Sequence, residues 1–174
     1  MKAINLAIAL VVSHASLAAW AGPEKLEIKG LQIGMSEADF KKANPKARCD
    51  FSARDKSWDS SVPPRRTCNV PGFTLATKAA RDTQFLFYEG RLGSWNVVFY
   101  DFHAHDVQQA LVEKYGAPVA EGGKYPGVSW KFEDSSMRFL SSDSSAFLFI
   151  DSPIQDAWQL KLSEFKRRNA KKDL

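Results

Sequence analysis

This chain has little that is reactive. Its 174 residues include two cysteines and three histidines. It has no Gly-x-Ser-x-Gly elbow, phosphate-binding loop, His-Glu-x-x-His pair or dinucleotide fingerprint. Those absences remove the motif-bearing hydrolases, nucleotide-dependent enzymes and zinc proteases from consideration. Beyond the first twenty-one residues no segment approaches the roughly eighteen uninterrupted apolar residues of a spanning helix. Carboxylates such as Asp82, Glu89, Glu133 and Asp134 have no spacing that pairs them as acid and base. Two of them, Glu89 and Asp134, fall at turns, where acids are ordinary. The reading is a non-enzymatic protein that needs no cofactor.

Charge excludes a further class. The formal net charge is +4, but residues 22–160 carry 17 basic and 18 acidic side chains. The excess lies in residues 161–174, with six basic and two acidic, while 41–66 holds eight basic and three acidic. A solvated tail and one solvated loop explain that pattern without nucleic acid. The competing use is weak contact of the tail with an anionic membrane surface.

The N-terminus reads as an address. Met1-Lys2 is a charged start, Ala3 to Val12 is a short apolar run, and Ala19-Trp20-Ala21 precedes Gly22. This is the pattern of a secretory signal peptide over 1–21, with cleavage after Ala18 as the alternative. The expected location is periplasmic or secreted. In an oxidising compartment Cys49 and Cys68 should pair, closing a loop of roughly 20 residues worth about 3 kcal/mol in the chain-entropy model. About 150 residues then remain, enough for one domain with its own core. The expected division is a single domain over 22–165 and a basic, frayed tail over 166–174.

Hydrophobic patterning predicts α+β: short helices packed on an antiparallel sheet, arranged as two helix–sheet repeats plus a C-terminal helix. Leu26-Glu27-Ile28 reads as a strand. Ser36 caps a short helix ending near Asn44, with Met35 and Phe40 as a hydrophobic staple. Residues 50–66 read as a loop based on the cysteines, and 69–73 as a turn between two short strands. Phe85 to Tyr88, Glu89-Gly90 and Arg91 to Tyr100 spell a hairpin. In it Trp95, Val97 and Phe99 share a packed face, while Ser94 and Asn96 share a partly wet one. Val107, Ala110, Leu111 and Tyr115 make the stripe of a second helix, stopped by Gly116 and Pro118. Strands follow around Val128 to Phe132, Met137 to Phe139 and Phe147 to Ile150. A last helix opens with a Ser152-x-x-Gln155 capping box and buries Ile154, Ala157, Trp158, Leu162 and Phe165.

Gly34-Met35-Ser36 at a helix start resembles the SmpA/OmlA family of small envelope lipoproteins, which belong to outer-membrane assembly. Leu111 to Pro118 is similar to a helix ending of small periplasmic helix–sheet proteins, and the tandem β-lactamase inhibitor protein fold is the nearest architecture. The resemblance implies a periplasmic helix–sheet protein that binds an envelope protein partner. Family lipoproteins carry a cysteine at the cleavage point, where this chain has Gly22.

Two residue sets are candidates for chemistry. Trp58, Arg65 and Arg66, in or beside the cysteine-closed loop, would anchor a protein partner. Asp101, His103 and His105 form an Asp-x-His-x-His metal pattern, the basis of an alternative reading as a metal-binding or metal-dependent envelope enzyme. That pattern converges on one face of a strand. At a helix start residues two apart diverge by about 200°.

Overall fold

The structure, a computed structural model, describes residues 25–51, 65–122 and 127–170. It begins with a small hairpin, β1 (Glu27–Ile28) and β2 (Leu31–Gln32). Ser36 then caps α1 (Glu37–Ala43), its hydroxyl accepting from the Asp39 N–H at 3.1 Å. Met35 and Phe40 both lie on the core across that cap, as a staple should. Asn44 ends the helix before Pro45.

Next come β3 (Arg48–Phe51) and β4 (Arg65–Asn69), paired antiparallel with Cys49 opposite Cys68 and the two sulfurs bonded. A second small hairpin, β5 (Thr74–Leu75) and β6 (Lys78–Ala79), precedes the long pair β7 (Asp82–Tyr88) and β8 (Arg91–Tyr100). The turn between the long strands holds Glu89 at φ 52° and Gly90 at φ 76°. Positive φ at both central residues gives the type I′ twist that matches the strands, and glycine supplies half of it without strain.

A 3₁₀ turn at Asp101–His103 leads into α2 (Ala104–Tyr115). Gly116 closes it, donating its N–H to the Val112 carbonyl at 2.8 Å. The remaining strands are β9 (Val119–Glu121), β10 (Gly127–Lys131), β11 (Ser136–Ser142) and β12 (Ser145–Asp151), and α3 (Pro153–Ala170) follows.

Eight of these strands form one antiparallel sheet in the order β3-β4-β7-β8-β12-β11-β10-β9. The order reads as two four-stranded meanders, each preceded by a helix and joined through their last strands, β8 and β12. The fold is α+β, two helix–sheet units plus a closing helix. Its main core lies on one face, here the inner face, where Phe85, Trp95, Val97, Phe99, Phe139, Leu148 and Ile150 are buried. Each such side chain contributes about 1.5–3 kcal/mol of burial. From α1, Phe40 packs 4.9 Å from Phe85 and 5.2 Å from Phe87. From α2 come Val107, Leu111 and Tyr115.

The outer face is covered by α3 over part of the first unit. Trp158 and Leu162 pack on Tyr88, with Leu86, Ile154 and Phe165 around them. Three expectations change here. Ser94 is buried rather than wet, because α3 lies over its end of β8. The capping box is not made: the Ser152 hydroxyl donates to the Gly93 carbonyl at 2.5 Å, and among the described residues the buried Gln155 Oε1 has no partner. The helix also runs through residues 166–170 instead of fraying after Phe165, since Lys, Arg and Ala sustain a helix and cations suit its C-terminus. Residues 1–21, read from the sequence as a signal peptide, and residues 171–174 lie outside the described residues.

Candidate functional site

Strand β12 reads Ser-Ala-Phe-Leu-Phe-Ile-Asp, apolar on both faces. Its inner set, Ala146, Leu148 and Ile150, is buried. Its outer set, Phe147 and Phe149, projects from the opposite side and is only half-buried. Two-sided apolar strands are normally covered on both sides. Among the described residues no helix packs across this outer set, although Arg138 stands over part of it.

The neighbouring strands extend the surface. Register sets Leu140 and Val98 beside Phe147, and Arg138 and Asn96 beside Phe149. The two phenyl rings are parallel within 8°, with centroids 6.0 Å apart. Leu140 folds over Gly127 on β10, so closely that a Cβ at Gly127 would lie 2.2 Å from its Cδ2. A cleft of about 350 Å³ results, lined by Leu140, Ser141, Ser142, Phe147 and Phe149. At its border Arg138 stands 5.6 Å over the Phe149 ring and 3.3 Å from Asp151. Farther along β8, Tyr100 stacks on Phe102 at 5.4 Å, and Phe102 is 70% exposed. The surface is open, aromatic and edged with charge, which suits a broad apolar contact better than an enclosed reaction.

The residues singled out from sequence lie elsewhere. Arg65 and Arg66 are adjacent on β4, so alternation sends them to opposite faces. Arg65 extends over the Trp158 ring at 5.4 Å beneath α3. Arg66 faces inward, with its Nε 3.3 Å from Glu37 and its Nη2 donating to the Cys49 carbonyl at 3.3 Å. Both guanidinium groups therefore hold elements of the fold together, and they form no common patch. Trp58 lies outside the described residues.

Asp101, His103 and His105 also stay apart. The backbone is helical from Asp101, His105 has 87% of its side chain exposed, and the His103 ring leans on Phe102 at 4.2 Å. Among the described residues the one set of three potential ligand atoms within 4.8 Å is Glu37, Cys49 and Cys68. Its two sulfurs are bonded to each other, and Glu37 is paired with Lys41 and Arg66. Beside His105, Asp106 bonds Lys78 at 2.6 Å, and that ammonium holds its carboxyl below the usual carboxylate range.

No protein-family model, curated protein or solved structure matches the chain. The site therefore rests on its own geometry. Two buried phenols show where polar groups are engaged instead. Burial pushes the Tyr88 phenol up, partly offset by its contact with Ser94 at 3.2 Å and by Arg65. The Tyr115 phenol is also raised by burial and by Glu27. Tyr88 lies under α3 and Tyr115 on the inner face, and neither borders the cleft. The sequence did carry a signal for the cleft. Phe147 to Ile150 is an unbroken apolar run, which a search for one-sided alternation passes over.

Proposed function

We propose that this chain is an exported, periplasmic or secreted, non-enzymatic module that binds or inhibits another protein. The observation that carries the reading is the open outer face at Phe147, Phe149 and Leu140, a flat aromatic surface beside a part of the same sheet that α3 covers. Aromatic anchors set among near-neutral neighbours are the usual energetic centre of a protein interface. Small-molecule sites enclose most of their ligand, whereas this cleft is shallow and lies across strands. The leader-like N-terminus and the Cys49–Cys68 disulfide support export, because such a bond persists in oxidising compartments.

The test is site-specific photo-crosslinking in the producing cell. A photoreactive residue at position 147 should give a discrete protein adduct, and one at position 113 on exposed α2 should not. Leu140→Asp should abolish the adduct at 147 while leaving the protein folded by circular dichroism. No protein adduct at 147, together with turnover of an envelope substrate by the purified chain, overturns the reading.

A further inference from the structure

The sheet is nearly two-fold symmetric about an axis between β8 and β12. Each half is a helix followed by a meander, and both helices lie on the inner face. Aligning the hairpin turns Glu89-Gly90 and Asp143-Ser144 matches the halves pair by pair, apart from a bulge at Gly93 that the second half lacks. Leu86, paired with Ser94, corresponds to Leu140, paired with Phe147. Inner Phe85 corresponds to inner Phe139, and Tyr88 to Ser142.

The outer faces of these matched hairpins differ in what covers them. In the first half, α3 lies across Leu86, Tyr88 and Ser94. It is anchored at the turn, where the Lys161 ammonium pairs with the Glu89 carboxylate. In the second half the equivalent floor is Leu140, Ser142 and Phe147, which is the cleft, and among the described residues it carries no helix. The turn residue matching Glu89 is Asp143, also acidic and exposed. Apolar floor and anionic turn recur together, while the helix that uses them does not.

We infer that the Leu140–Phe147–Phe149 cleft seats a cationic amphipathic helix of a partner protein, which lies across the strands as α3 does and places a lysine or arginine against Asp143. This rests on the protein-binding reading and specifies the partner's chemistry. Phe147 and Phe149 supply aromatic rings on the sheet side, as Tyr88 does beneath Trp158 in the first half. The incoming helix therefore needs an apolar stripe with a basic residue one turn along, as Trp158 and Lys161 are spaced in α3.

The experiment titrates the full disulfide-bonded chain with a synthetic peptide of residues 152–168, a helix of the required type, followed by nuclear magnetic resonance. Saturable binding should shift the amides of Leu140, Phe147 and Phe149. Leu140→Asp should weaken it at least about thirtyfold, as loss of an interface hot spot does. Asp143→Lys, at an exposed turn where folding is not at risk, should weaken it about threefold, the scale of a rim ion pair. A peptide carrying Lys161→Glu should regain that loss against the Asp143→Lys chain. Absence of binding, or binding indifferent to all three changes, overturns the inference. Concentration-dependent dimerisation abolished by Leu140→Asp would give the cleft to a second copy and also overturn it. A chain that ignores the peptide yet still crosslinks a protein through position 147 refutes the helix alone. A chain that does neither refutes the binding reading as well.

Discussion

Gly93 has no side chain because Tyr88 and Ile154 fill the space one would need. A Cβ there would stand 2.5 Å from the Tyr88 ring and 3.0 Å from the Ile154 Cγ2. Those neighbours belong to β7 and α3, so the missing methyl lets the helix settle onto the sheet. Gly93→Ala should lower stability by about 1–3 kcal/mol, the usual cost of overpacking, read as a lower urea midpoint at unchanged slope. An unchanged midpoint would mean that α3 does not press on β8 there. Tyr115 gives a second prediction. Its hydroxyl donates to the Glu27 carbonyl at 2.5 Å, and its phenol ionises above the ordinary tyrosine range when folded. The folded state then keeps a proton that the unfolded chain gives up above about pH 10. Its contribution is complete below that pH and declines as pH rises further. Tyr115→Phe should cost about 1 kcal/mol at neutral pH through the lost hydrogen bond. It should also flatten the alkaline fall in melting temperature. An alkaline limb as steep as the parent's would place the raised phenol elsewhere.

At the scale of elements, legibility followed how local the determinant was. The α1 cap, the Glu89-Gly90 turn and the Gly116 stop are each set by a few adjacent residues, and all three were readable from the sequence. Pairing β8 with β12 joins residues about fifty apart, and no local pattern announces it. The face that α3 would cover was equally hidden, so Ser94 read as wet. For the site the difficulty lay in neighbours along the chain. Arg65-Arg66 looked like a patch because sequence adjacency suggests spatial adjacency, which a strand reverses. The helix α3 leads to a paired prediction. Trp158→Ala removes an indole that is 3% exposed and in contact with Tyr88, so it should cost about 3–5 kcal/mol. Phe149→Ala, on the half-buried open face, should cost well under half as much by the same urea measurement. Equal costs would mean that the second half's outer face is as fully packed as the first's.

At the scale of the molecule, the two helix–sheet units share a core. Trp95 and Val97 of the first lie opposite Ile150 and Leu148 of the second, and all four are buried in one continuous cluster. Parting the units would expose those side chains together with the six residue pairs along the β8–β12 seam. The burial lost by these side chains alone, about 1.5–3 kcal/mol each, is of the order of a domain's whole stability, about 5–15 kcal/mol. Neither unit should survive the other. The disulfide does not alter this, because both its cysteines lie in the first unit, on the β3–β4 edge far from the seam. Equilibrium unfolding should therefore be a single transition. Tryptophan fluorescence, sensitive to Trp95 in one unit and Trp130 in the other, should coincide with far-ultraviolet circular dichroism at the same urea midpoint. Two separated transitions would show instead that the units fold independently, and the seam would then be an interface between domains rather than part of one core.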